Sequence, residues 1–258
     1  IVSTKEGKRK VSSYHMTTID GETWTYELNG RYAVGQVLDY YYSVKTNDSE
    51  RMEWQVTIHR LELVSEKGVR YIIYDRWIET PEDSYLYSSA FTECIARHTP
   101  VKSPLKPFAK TVRIKVRAPQ LRTNERLALV GAGRALGNWD IRKALPMTEH
   151  NYNEWMVNID VSQMTEEKLE FKFICVNEDN SIDIQWETGY NREIAMAPIN
   201  DGEVFVYELP IVRFDFPRQR CAGTLVPVFS LRSKDSFGVG DFGDLVKMID
   251  WVGSTGQR

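Results

Sequence analysis

The sequence predicts a mainly β chain: two tandem antiparallel β domains of sandwich or barrel type, then the first strand and helix of an α/β domain. Three observations carry this. Short runs rich in Val, Ile and Tyr recur between polar turns, which is the pattern of half-buried strands. The pattern then repeats at long period, as a pair of domains rather than a solenoid. Beyond about Arg213 the texture changes to one apolar run and one amphipathic helix.

In the first segment, residues 37–44 and 69–74 are expected strands, and Asn47-Asp48-Ser49 supplies turn chemistry between the Tyr40-Tyr41-Tyr42 run and the run from Trp54. Sustained helical periodicity is missing. Pro100, Pro104 and Pro107, interspersed with Lys102 and Lys106, then make a stiff extended linker. After it, Thr111-Val112-Arg113-Ile114-Lys115-Val116-Arg117 alternates apolar and basic residues, as a strand with one wet face does. Further strands are expected at 127–130, 155–159, 169–176 and 204–209. Gly223-Thr224-Leu225-Val226-Pro227-Val228-Phe229 is expected as a short buried strand. Phe242, Leu245, Ile249 and Val252 share one face of a helix over 241–252 that has acids in its first turn. The expected organisation is a first β domain at 1–98, a linker at 99–108, a second β domain at 109–210 and the start of a third domain at 211–258.

The repeat rests on particular residues. Trp24 and Trp54 stand 30 residues apart, and Trp155 and Trp186 stand 31 apart. Between them, Leu38-Asp39-Tyr40-Tyr41-Tyr42 matches Leu169-Glu170-Phe171-Lys172-Phe173. Lys5-Glu6-Gly7-Lys8 occupies the place of the turn Leu136-Gly137-Asn138-Trp139, so the chain is expected to begin inside the first domain. It is likewise expected to stop one strand and one helix into the third, because a lone strand-helix unit cannot bury its own apolar face.

Bulk properties exclude several classes. A net charge of -3 on 258 residues argues against nucleic acid as a partner. No window approaches the ~18 to 20 apolar residues of a membrane span. The first residues show no secretory signal, so the cytoplasm is the expected compartment. Cys94, Cys175 and Cys221 are odd in number and lack metal spacing, and they read as free thiols of a reducing compartment. No metal and no cofactor is expected. Gly238-Val239-Gly240-Asp241-Phe242-Gly243 satisfies G-x-G-x-x-G, but Asp241 stands where a phosphate would approach, which argues against a dinucleotide.

The binding chemistry lies in Leu136-Gly137-Asn138-Trp139, Phe171-Lys172-Phe173 and Trp186-Glu187-Thr188-Gly189-Tyr190-Asn191-Arg192. An indole is large, flat and weakly polar, like the C–H face of a glucose ring, so stacking them costs neither a hydrogen bond. The sugar hydroxyls must then be paired, which Lys172, Glu187 and Asn191 can do. Trp139 sits in a turn and Trp186 has polar neighbours, which favours exposure over the core. Trp24 and Trp155, each opening an apolar strand, are expected in the core. A curved α-glucan suits two angled indoles better than a flat β-glucan does.

Residues 110 to about 200 resemble, through those three motifs in order and spacing, the starch-binding domains typified by the C-terminal domain of fungal glucoamylase. The resemblance implies an immunoglobulin-like sandwich with a glucan site of Trp139, Lys172, Trp186, Glu187 and Asn191. The family's second site uses tyrosines; only Tyr152 lies in the matching loop, and Thr123 stands where another tyrosine is expected. In the first copy Trp54 and Arg60 match, while Tyr41, Gln55 and His59 replace the Lys, Glu and Asn. Trp54, Tyr41 and Tyr152 are therefore candidates for weaker sugar contact, with a scaffold role equally open for the first copy. Ser230-Leu231-Arg232-Ser233 and Gly238-Val239-Gly240-Asp241-Phe242-Gly243-Asp244-Leu245 resemble the start of the amylomaltase family of 4-α-glucanotransferases, whose catalytic domain is a (β/α)8 barrel. That family transfers glucan with retention, using two carboxylates about 5 Å apart. None of Asp235, Asp241 and Asp244 matches them; they read as helix N-terminal acids or loop contacts, and no catalytic residue is assigned. The expected function is α-glucan binding within such a transferase. The rivals are a non-catalytic glycogen-targeting module and an immunoglobulin-like interaction domain whose tryptophans are all core.

Overall fold

The computed structural model describes residues 2–5, 8–29, 35–63, 68–95, 105–177, 184–216 and 225–256. In chain order the first segment supplies β1 (Val2–Lys5), β2 (Lys8–Val11), β3 (Thr17–Thr18), β4 (Trp24–Thr25), β5 (Val37–Tyr40), β6 (Ser43–Lys45), β7 (Glu50–Met52), β8 (His59–Glu62) and β9 (Arg70–Tyr74). The second supplies β10 (Lys110–Arg117), β11 (Glu125–Gly131), β12 (Leu145–Pro146), β13 (Thr148–Asn151), β14 (Glu154–Asp160), β15 (Lys168–Asn177), β16 (Gln185–Trp186), β17 (Arg192–Ala195) and β18 (Glu203–Glu208). One α-helix, α1 (Phe242–Ser254), follows. The chain is mainly β, as expected.

Among the described residues, the second segment forms a two-layer sandwich to which the first contributes one strand, β9. One sheet runs β13-β14-β10-β18-β9, and the other runs β12-β11-β15-β16 with β17 on the far half of β15. Period-two alternation builds the core between them. Val112, Ile114 and Val116 pair across to Ile159, Val157 and Trp155, while Leu127, Leu129, Phe171 and Phe173 supply the other sheet's buried face. Trp155 is 2% exposed, the core position expected of it.

In the first segment, β2-β1-β5-β8 form a four-stranded antiparallel sheet, with β3–β4 and β6–β7 as separate two-stranded ribbons. β9 leaves this segment and pairs in parallel with β18, Val206 opposite Ile73. Residues 1–88 and 98–215 accordingly form one compact unit, and 89–97 with 216–258 form another.

Three expectations need correction. The basic face of β10 is not wet: Arg113 and Lys115 are 3% and 2% exposed. Lys115 Nζ donates to the Arg60 carbonyl of β8 at 3.1 Å and lies 3.6 Å from both Glu154 and Glu208, so the first segment covers this face and acids neutralise it. Trp24 is 55% exposed rather than core, because β3–β4 is two residues long on each side and joins no larger sheet. Finally, the buried strand expected at 223–229 is not formed among its described residues. Val228–Ser230 is a 3-10 turn, Leu225 and Phe229 are exposed, and Gly223 and Thr224 lie outside the described residues. A strand is completed only by hydrogen bonds to a neighbour, and no strand lies among the described residues of this unit.

Of the proline linker, residues 105–108 are described, whereas Pro100 and Pro104 lie outside; the Leu105 carbonyl accepts from the buried Arg113. Cys221 and the Cys94 side chain also lie outside, while Cys175 is a buried free thiol that burial pushes up to about 12. In α1, Asp241 caps the helix: its carboxylate accepts from the Asp244 N–H and the Asp244 carboxylate from the Asp241 N–H, a capping box in keeping with the acids of the first turn. Its apolar face is open to solvent at Phe242, Val246 and Ile249. No helix is long and apolar enough to cross a membrane among the described residues.

Candidate functional site

The second sheet has an outer face as well as a core face. On β15 the inward residues are Leu169, Phe171, Phe173 and Cys175, which leaves Glu170, Lys172, Ile174 and Val176 on the other side. Register places Lys172 opposite Val130 of β11 and Trp186 of β16 opposite Ile174. Paired residues share a face, so Lys172 and Trp186 stand on the outer surface together. Trp139 packs onto the Ala128, Val130 and Ile174 cluster beneath them. Trp186 is 39% exposed and Trp139 is half-buried.

The Trp139 indole is aimed by an unusual turn. Gly137, Asn138 and Trp139 have φ values of 82°, 53° and 59°, all left-handed. For the two non-glycine residues this conformation costs of the order of 1 to 3 kcal/mol each and persists only where the surroundings impose it. Here Asn138 N–H donates to the Gly133 carbonyl at 3.0 Å and Asp140 N–H to the Gly137 carbonyl at 3.0 Å. A Cβ at Gly137 would lie 2.7 Å from the Lys143 carbonyl oxygen, so the turn requires glycine for space as well as for φ.

Lys172 Nζ donates to the Glu187 carbonyl at 3.1 Å, tying β15 to the end of β16. Asn191 Nδ2 donates to Glu170 Oε1 at 2.7 Å, which brings Asn191 to the same face. The structure thus gathers Trp139, Lys172, Trp186 and Asn191. It does not deliver the Glu187 carboxylate. Glu187 follows Trp186 in an extended strand and so turns inward, to 4% exposure. Its Oε1 accepts from Phe173 N–H at 2.9 Å and its Oε2 from Arg192 Nε at 2.9 Å, so the expected sugar acceptor is already used in holding the sheet. Two residues escaped the sequence reading. Glu170, two positions before Lys172 on the same strand, was signalled by alternation alone, and Tyr190, 97% exposed beside Asn191, was signalled by its place after Gly189 in the turn.

The weaker candidates are scattered. Tyr152 lies in the β13–β14 turn on the other sheet, with its phenol pushed up by burial. Tyr41 is 37% exposed. Trp54 is half-buried edge-on against Tyr87, with centroids 5.1 Å apart at 87°. His59, which stands in the place of Asn191, is fully buried. Its Nδ1 donates to Glu208 at 2.8 Å and its Nε2 to Glu53 at 3.0 Å, while Asp75 accepts from the hydroxyls of Tyr40 and Tyr42. Burial opposes its charge, yet the Glu208 and Glu53 hydrogen bonds prevail and raise it to about 9. His59, Asp75 and Glu208 have a metal-like spacing, within 4.8 Å of one another. In the structure Lys115 beside Glu208 supplies positive charge, and His59, Lys115 and the acids form a buried ion-pair network.

Two solvent-reached indoles and a lysine thus stand on one outer face of a two-layer β-sandwich, a surface chemically able to stack a sugar ring. Residues 110–203 match the family described as Starch binding domain, and residues 226–258 match that described as 4-alpha-glucanotransferase. The chain is similar to "4-alpha-glucanotransferase DPE2" of Oryza sativa subsp. japonica, 24% identical over 238 residues that cover 87% of this chain and 25% of that protein. It therefore spans about a quarter of that relative's length. Among solved structures, it is 20% identical to a glycoside hydrolase family 15 glucoamylase from Hypocrea jecorina, with a TM-score of 0.34 over 45% of this chain and 19% of that one. It is 22% identical to the family 20 carbohydrate-binding module of a maltotetraose-forming amylase from Pseudomonas saccharophila STB07, with a TM-score of 0.31 over 38% of this chain and 99% of that one.

Proposed function

We propose that this chain is the glucan-holding part of a 4-alpha-glucanotransferase working in the cytoplasm, and that an α-glucan lies across Trp139 and Trp186 on the outer face of the second sheet. The observation that carries the reading is the 39% exposed Trp186 indole, set by register beside Lys172 and the Trp139 shelf. A pyranose face stacks on the indoles, Lys172 donates to its hydroxyls, and Asn191 with Glu170 pairs those at the rim. On this reading residues 109–210 bind glucan, 1–98 brace them, and 211–258 lead into the catalytic domain.

Among the described residues, the acids near α1 have structural partners. Asp241 and Asp244 cap the helix, Ser236 Oγ donates to Asp244 at 2.7 Å, and Asp235 pairs with Lys247. Calorimetric titration with β-cyclodextrin tests the reading. Trp186→Ala is expected to weaken binding at least about tenfold, roughly 1.4 kcal/mol, with little change in melting temperature. Unchanged affinity refutes it. The chain alone is expected not to disproportionate maltotriose.

A further inference from the structure

We infer that the first segment holds a second saccharide cleft, built on Trp77 rather than on Trp54 or Tyr41. The inference rests on the proposal that this chain binds α-glucan. Beside the β6–β7 ribbon lies an open cleft of about 390 Å³, lined by Val44, Thr46, Ser49, Arg51, Trp77 and Glu79. That is the volume range of a small-ligand site.

Both walls are fixed from within. Val44 and Arg51 face each other across the ribbon, and the turn that joins its strands is closed by Thr46 and Ser49, whose hydroxyls lie 2.8 Å apart. On the other wall, Ile78 N–H donates to the buried Glu53 carboxylate at 2.7 Å, and its carbonyl accepts from Trp54 N–H at 3.0 Å. Both backbone groups of Ile78 are thereby held, which fixes the chain that carries Trp77 and Glu79 along the cleft. The anchor is the same carboxylate that His59 holds, so the aromatic wall stands on a deeply buried acid, 3% exposed.

The lining chemistry is that of a sugar subsite. One indole offers a flat apolar face, two hydroxyls both donate and accept, a guanidinium donates and a carboxylate accepts. Arg51 lies over the Trp77 ring at 5.3 Å and pairs with Glu79 at 2.5 Å, with side chains 66% and 67% exposed. An ion pair so open to water is weakly held. Arg51 is therefore free to swing from the indole face to pyranose hydroxyls when a glucan enters.

Maltoheptaose titration of the whole chain, followed by calorimetry and by the indole N–H resonances of Trp77 and Trp186, tests this. Trp186→Ala should retain a binding component that shifts the Trp77 indole. Adding Trp77→Ala should weaken that component at least tenfold. Val44→Lys, at a lining position 54% exposed, should do the same without touching the indole and serves if Trp77→Ala perturbs the fold. A Trp186→Ala protein with no residual binding and a stationary Trp77 resonance overturns the cleft and leaves the outer-face platform standing. Loss with Trp77→Ala alone, with Trp186→Ala behaving as wild type, supports the cleft and overturns the platform. A wild-type chain that binds no maltoheptaose overturns both.

Discussion

His59 Nδ1 stands 2.8 Å from Glu208 Oε2, with the two side chains 0% and 4% exposed, and this contact joins β8 of the first segment to β18 of the second. The imidazolium is shared between Glu208 and Glu53, with Asp75 at 3.7 Å and the Tyr40 ring stacked on it at 5.2 Å. Lys115 and Arg117 balance the remaining acid. The Glu208 carboxyl would rise on burial alone, but Lys115, His59 and Arg117 together hold it well below the usual carboxylate range.

A pH dependence follows. His59 goes from 6.5 to about 9 on folding, so its contribution to stability is full below about pH 6.5 and is lost as pH rises through about 9. A shift of that size corresponds to about 3 kcal/mol. Urea unfolding at pH 6 and pH 9.5 should show this fall in the wild type and not in His59→Gln. A flat wild-type profile would mean that His59 is neutral in the folded chain.

Lys115→Met is expected to cost about 3 kcal/mol, because it removes a buried cation shared by Glu154 and Glu208 that Arg117 and His59 replace only in part. A residue on a wet strand face would change stability by no more than about 0.5 kcal/mol, so one denaturation curve separates the two descriptions of β10.

That contrast shows where the sequence was readable. Strand alternation is local, and it marked the apolar face of β10, as apolar runs marked the strands β14 and β15. The partners of Lys115 are Glu154 and Glu208, 39 and 93 residues away, and no local pattern distinguishes a paired basic face from a solvated one. Trp24 and Trp155 both open expected strands, but only Trp155 has a sheet against which to bury its indole. Parallel pairing of β9 with β18 joins residues more than a hundred positions apart, and it left no signal in either strand's composition.

Gly137→Ala should destabilise the chain by about 1 to 3 kcal/mol through forced left-handed φ, with added strain from the Lys143 carbonyl 2.7 Å from the new Cβ. Because Gly137 sets the direction of the Trp139 indole, glucan affinity should fall as well, even where the variant remains folded. Differential scanning calorimetry and a cyclodextrin titration on one preparation read both effects. Lower stability with intact affinity would detach Trp139 from the platform.

Glu187 and Trp186 are adjacent, yet they should fail in opposite ways. Trp186 is solvent-reached and anchors no hydrogen-bond network through its side chain, so its loss should appear in affinity. The Glu187 carboxylate satisfies the Phe173 N–H and faces the Arg192 guanidinium, which itself lies 5.0 Å over the Phe173 ring and donates to the Pro210 carbonyl. Glu187→Gln keeps the shape but turns an amide towards Arg192, leaving a cation that is only 18% exposed without its counter-ion. The expected cost is about 3 kcal/mol, seen as a lower urea midpoint. Affinity for β-cyclodextrin, measured where the variant is fully folded, should stay within about twofold of wild type, under roughly 0.5 kcal/mol. A tenfold loss of affinity at unchanged stability would return the Glu187 side chain to the sugar site, and would require the carboxylate to leave Arg192 when glucan binds.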